Sequence, residues 1–110
     1  MAQDLGDSQG DRPSEVRVIW APRAIANLTQ IRDYIAEDSP DAAVRVAARI
    51  LDAVELATTQ PNMGRRGHVP GTRELVIVKT PYVAIYRVLH EALEVLAVRH
   101  GRRLWPDRIE

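Results

Sequence analysis

With 110 residues the chain suits one domain with a single modest core, and leaves no room for a second domain or a deep internal cavity. Fifteen basic and fifteen acidic side chains cancel, and cysteine is absent, which excludes disulfide frameworks and thiolate metal sites. The opening residues lack the basic start and apolar stretch of a secretory signal, and no apolar run approaches the roughly 20 residues that span a bilayer, so a soluble cytoplasmic protein with no membrane association is expected.

In chain order, residues 1–14 hold two glycines, a proline and several acids but little apolar mass, and are expected to be a disordered tail ahead of one domain over 15–110. Val16-Arg17-Val18-Ile19-Trp20 is a β-prone run closed by Ala21-Pro22. From Pro22 onward Ile25, Leu28, Ile31 and Ile35 recur at helical spacing, which predicts an amphipathic helix with proline in its first turn. Ser39-Pro40-Asp41 is a helix start: a capping hydroxyl, a preset φ and an acid at the positive end of the dipole. Ala43, Ala47, Ile50, Val54 and Ala57 then share a face up to about Thr59, before Pro61 blocks continuation. So short a connection folds the two helices back as an antiparallel hairpin.

Pro61 to Gly71 reads as an irregular basic loop carrying Arg65, Arg66 and His68. Three strand candidates follow, Glu74 to Lys79, Tyr82 to Leu89 and Leu93 to Arg99, joined by connections short enough for an antiparallel meander. The predicted class is therefore α+β, in the order β-α-α-β-β-β, with a helical hairpin packed on one face of a small, mainly antiparallel four-stranded sheet. The other face is expected to be partly open to solvent or a partner. Tyr82, Ala84, Tyr86 and Val88 share a face by alternation and suit a core, and Tyr34 suits its edge.

The charge is unevenly placed: up to Gln60 six arginines face ten acids, and from Pro61 nine basic residues face five. A basic second half suits contact with a polyanion, or is simply a solvated charged face. No phosphate-cradling glycine loop or glycine-framed serine elbow is present. His68, His90 and His100 sit on separate loops or strand ends, so neither a metal nor a cofactor is expected. What remains is a set of arginines with histidine, able to fork onto phosphate oxygens and to move a proton. Structural alternatives stand beside that reading. Arg87 falls opposite Glu94 across a turn at His90-Glu91, as an ion pair would; Arg73 beside Glu74 suits a solvated charge; His100 suits a hydrogen-bonded strand end; Trp105 suits either a binding rim or the core.

Six segments together resemble the RelE/ParE superfamily of bacterial toxins: Val18-Ile19-Trp20-Ala21-Pro22-Arg23-Ala24, Tyr34-Ile35 before Ser39-Pro40, Pro61-Asn62-Met63-Gly64-Arg65, Gly71-Thr72-Arg73-Glu74-Leu75-Val76, Pro81-Tyr82-Val83-Ala84-Ile85-Tyr86-Arg87-Val88, and Val98-Arg99-His100-Gly101-Arg102. The resemblance covers about Val16 to Pro106 and implies a type II toxin that a cognate antitoxin neutralises, as a homodimer or as a heterotetramer with that antitoxin. It implies one of two targets, DNA gyrase for ParE-like members or ribosome-bound mRNA for RelE-like ones. Glu74-Leu75-Val76-Ile77-Val78 is apolar where RelE-like nucleases carry basic catalytic residues, and Val83 stands where an arginine commonly precedes the next run, so gyrase is favoured. The alternatives are metal-independent mRNA cleavage and an inactive interaction module.

Within that resemblance, Arg73 and Arg87 on phosphate and His100 as acid or base are the expected nuclease set. Arg65, Arg66, Arg99, Arg102, Arg103 and Trp105 are the expected target-binding set, and Ile25, Leu28, Ile31, Ile50 and Val54 the expected antitoxin-binding set, in a groove between hairpin and sheet. Ala21 replaces the serine or threonine expected before Pro22, a change that costs about 1 kcal/mol of local helix stability.

Overall fold

Both helices open on a proline, and one of them on a side-chain cap as well. A computed structural model describes residues 16–103; the expected tail over 1–14 and Trp105 lie outside them. The elements are β1 (Arg17–Trp20), α1 (Pro22–Ala36), α2 (Pro40–Thr59), β2 (Arg65–Arg66), β3 (Arg73–Val76), β4 (Tyr82–Leu89) and β5 (Ala92–His100), followed by a 3-10 turn at Gly101–Arg103. Helix α1 starts after Ala21 with no side-chain cap, while Ser39 Oγ accepts the Ala42 N–H at 3.1 Å to open α2, with Asp41 in its first turn.

The sheet has five strands in the order β1-β5-β4-β3-β2, one more than expected. The extra strand is Arg65–Arg66, which lies in the segment read as irregular and pairs antiparallel with Glu74 and Arg73. Neighbouring pairs from β2 to β5 are antiparallel, whereas β1 runs parallel to β5 at the edge. Strand β3 ends at Val76 rather than Lys79 because the chain turns there: the Thr80 N–H donates to Ile77 O at 3.1 Å and Lys79 sits at φ 65°.

Alternation along the sheet decides what each face carries. Leu75, Ala84, Tyr86, Leu93 and Val95 point to the hairpin and meet Ala24, Ile50, Val54 and Ala57, while Val18 and Trp20 pack at the margin. The opposite face holds a smaller buried cluster of Val83, Ile85 and Ala97, with Leu96 against it, so β4 is buried on both sides along Tyr82–Tyr86. Ile85 pairs with Ala97 and Tyr86 with Val95, which makes Leu96 the extra residue of a bulge. Just beyond it the Val98 N–H donates to Asn27 Oδ1 at 3.0 Å, fastening α1 to β5. Tyr34 is 72% exposed and stands clear of the core edge expected for it.

Tyr86 is 1% exposed and lies on the central strand. Its hydroxyl donates to Pro61 O at 2.6 Å and accepts the Gly64 N–H at 3.0 Å, tying the segment that leaves α2 to the sheet. A Cβ at position 64 would stand 2.9 Å from the Tyr86 ring and hydroxyl, so only glycine lets the two approach this closely. Tyr86→Phe keeps the packing and strands both partners. It is expected to lower stability by about 1–3 kcal/mol, read as a lower urea midpoint at unchanged slope.

Candidate functional site

The β2–β3 hairpin concentrates the polar chemistry. Gly67 donates its N–H to Thr72 O at 2.8 Å, and Val69-Pro70-Gly71-Thr72 closes as a type II turn, with the Thr72 N–H on Val69 O at 3.0 Å and Gly71 at φ 85°. Proline and glycine occupy the two positions this turn prescribes, so the fingertip is stiff.

Beneath it Glu74 is 2% exposed, a carboxylate on the face away from the helices. A buried carboxylate is tolerable only when paired. Arg65 Nε donates to its Oε1 at 2.9 Å, while the His68 backbone N–H and ring Nδ1 lie 3.3 and 3.1 Å from its Oε2. On the helix-side face of the same hairpin, Arg73 Nη1 donates to Gly64 O at 2.6 Å and Asn62 O at 3.3 Å. Arg66 stands opposite Arg73 in register, and both flank an open cavity of about 560 Å³ with Val88 on its wall.

The expected nuclease residues do not converge. Arg73 pairs in register with Tyr86 and so shares the helix-side face, whereas Arg87, the next residue on β4, projects from the other face. There Arg87 Nε donates to Glu94 Oε1 at 2.7 Å, the cross-strand pair foreseen from the register. His100 pairs with Tyr82, four residues along β4 from Tyr86, a separation of about 13 Å at the rise of an extended strand. Its ring meets Tyr82 edge-on at 5.7 Å between centroids, and its Nδ1 accepts the Arg102 N–H at 3.1 Å. Burial holds the Tyr82 phenol above its usual pKa, and Tyr34 nearby adds to the rise.

The expected target-binding arginines fall into separate groups rather than one basic end. Arg65 and Arg66 lie on the β2–β3 hairpin, on opposite faces. Arg99, opposite Val83, lies at the far end of β5, with Arg102 and Arg103 in the 3-10 turn beyond. Of the expected antitoxin-binding residues, Ile25 is exposed and Leu28 and Ile31 are half-buried. Ile50 and Val54, at 0% and 2% exposure, fill the core instead, because the helical face that carries them is the one the sheet covers.

Two largely apolar hollows lie on either side of α2, the first of them between hairpin and sheet where a groove was expected. One lies between α2 and β3 and is lined by Ala53, Leu56, Met63, Leu75, Val76 and Val78, with Arg49 and Asp52 also bordering it. The other lies between the two helices and is lined by Ile25, Leu28, Ala47 and Leu51. Beyond Glu74, β3 has no outer neighbour among the described residues, so its edge is open along the first hollow. The signal for Glu74 was available in its alternation with Leu75, and that for the Tyr86 hydroxyl in the use of three tyrosines by a chain with no phenylalanine.

Among the described residues no group of three or more histidine or acidic side chains could hold a metal ion, and no helix is long and apolar enough to cross a membrane. Comparison with known proteins finds a family match over residues 18–105 to the ParE toxin of the type II toxin–antitoxin system parDE. The chain is 43% identical over 94 residues to Y4kP of Sinorhizobium fredii, covering 86% of this chain and 97% of that protein. It is 42% identical over 88 residues to the toxin RelE2 of Caulobacter vibrioides, covering 80% of this chain and 98% of that one. Among solved structures, a chain of the chromosomal ParDE toxin–antitoxin system from P. aeruginosa superposes with a TM-score of 0.71 at 26% identity, covering 79% of this chain and 97% of its own.

Removing the Glu74 carboxylate leaves the Arg65 guanidinium and the His68 N–H without their shared acceptor and opens a void beneath the hairpin. Glu74→Ala is expected to cost about 3 kcal/mol, measured by thermal or urea unfolding, and to speed hydrogen exchange at Gly67 and Thr72.

Proposed function

The chain belongs to the ParE toxin family of type II toxin–antitoxin systems, and from that membership we propose that it arrests bacterial growth by inhibiting DNA gyrase. The observation that carries this reading is the dispersal of Arg73, Arg87 and His100. A phosphoryl-transfer centre needs its charge-stabilising and proton-moving groups around one phosphate. Here two arginines stand on opposite faces of the sheet, one of them held by Glu94, and the histidine sits about 13 Å along the strand with Nδ1 on a backbone N–H. The likeness to a ParDE toxin–antitoxin structure supports the toxin role within that reading. Ribosome-dependent mRNA cleavage is the second reading, favoured by the 42% identity to a relative named RelE2.

A cognate antitoxin is the partner that silences the toxin. We place its contact on the hollow between α2 and β3, where Leu56, Met63, Val76 and Val78 offer an apolar floor beside an open strand edge. A segment that folds on binding can lay apolar side chains into that hollow while its backbone extends the sheet from β3. The second hollow, with Ile25, Leu28 and Leu51, lets the segment continue across the hairpin.

Induced expression in a bacterium lacking the antitoxin is expected to stop growth, provoke a DNA-damage response and trap gyrase on DNA, and His100→Ala is expected to remain fully toxic. Discrete cuts in ribosome-bound message that vanish in His100→Ala would reverse the assignment. Val76→Asp places a charge in the lining of the hollow, at a residue 53% exposed on the β3 face that carries Glu74. It is expected to weaken antitoxin binding at least about tenfold by calorimetry, with an unchanged melting temperature.

A further inference from the structure

Three cross-strand registers in the sheet set charge against charge. Arg65 opposes Glu74 and Arg87 opposes Glu94, each a guanidinium on a carboxylate, at 2.9 and 2.7 Å. The third opposes Arg66 to Arg73, two guanidinium groups on one face of an antiparallel pair. Like charges directly opposite each other destabilise a sheet. Among the described residues no carboxylate reaches either of them. Arg73 is oriented by the carbonyls of Gly64 and Asn62, which fix its guanidinium and leave its charge uncancelled. Both arginines border the cavity of about 560 Å³ on the helix-side face.

We propose that this cavity is a binding site for a phosphate oxyanion, the phosphate of a nucleotide either free or within a strand. A guanidinium presents parallel N–H donors that match phosphate oxygens; a nucleotide's terminal phosphate is a dianion with three free oxygens for the two guanidinium groups to share, and a strand's phosphodiester a monoanion with two. Binding would also offset the repulsion between Arg66 and Arg73, a gain that neither neutralised pair can offer. The cavity exceeds what one phosphate fills and falls within the roughly 300–1,000 Å³ of small-molecule sites. It therefore has space for an attached nucleoside against Val88 and Pro70, with Asn62 and Thr72 as polar neighbours. This assignment does not depend on the gyrase reading, because anion binding is measured on the chain alone.

The test uses the full-length chain freed of antitoxin in low-salt buffer, with pyrophosphate as the probe and calorimetric unfolding as the readout. Millimolar pyrophosphate is expected to raise the melting temperature of the native chain by roughly 5 °C. Arg66→Glu places a carboxylate opposite Arg73; it is expected to melt no lower than the native chain without the probe and to gain nothing from it. Arg66→Gln, which removes charge and keeps length, is expected to abolish most of the gain. An absent shift in the native chain, or an equal shift in Arg66→Glu, would overturn the site. Titration with a short single-stranded oligonucleotide separates the two sources of phosphate: binding at least about tenfold tighter than pyrophosphate assigns the site to a strand, and equal or weaker binding to a free nucleotide. If a glutamate-rich peptide binds as tightly as pyrophosphate, the cavity holds a protein's carboxylates and the phosphate assignment fails.

Discussion

The Tyr86 hydroxyl is buried on the central strand and must find hydrogen-bond partners there. It finds both in the segment that leaves α2, the carbonyl of Pro61 and the N–H of Gly64. That contact sets where the chain enters the sheet, and so where Arg65 and Arg66 begin to pair with β3. Glu74 makes the same hairpin rigid from the other face by collecting Arg65 and His68. The Arg73 side chain, hydrogen-bonded to Gly64 O, belongs to the same assembly. One phenol therefore holds in place the hairpin that carries Arg65, Arg66, His68, Arg73 and Glu74.

Counting arginines along the chain overstates the basic character of the sheet. Arg65 and Arg87 are tied to carboxylates, so two of the candidate phosphate ligands are neutralised in place. Candidate arginines not tied to a carboxylate lie in different places, Arg66 and Arg73 at the β2–β3 hairpin and Arg99 near the end of β5. A compact cleavage centre would require these groups on one face, and strand alternation puts them on two. Function in such a fold rests more naturally on surfaces that grip macromolecules than on a reactive pocket.

Most of the architecture was legible because local signals agreed with tertiary demand. Ser39, Pro40 and Asp41 specify the start of α2, and the Arg87–Glu94 opposition follows from a two-residue turn at His90-Glu91. The Arg65–Arg66 strand was not legible, since two residues carry no periodicity and their pairing is imposed by the Tyr86 contact. The parallel pairing of β1 with β5 likewise has no local signature. Ile50 and Val54 were legible as an apolar face but not as a covered one: the periodicity that makes a good docking stripe is the same one that makes a core. The family was visible in segment order and spacing, whereas the site depends on which face each side chain takes, and a single bulge at Leu96 changes that for part of a strand.

The pairing of β1 with β5 also shapes how the molecule comes into being. Arg17 meets Ala92, 75 positions further on, so β1 waits for nearly the whole domain to be synthesised before it gains its neighbour. Closing so long a loop is entropically costly and slows folding relative to local hairpins. During translation the helical hairpin emerges first, its oily inner side uncovered until β4 and β5 follow. A growing chain thus cannot adopt its working shape halfway along the ribosome. The strand that closes the fold is among the last parts made, so the apolar face of the helices stays uncovered for most of synthesis.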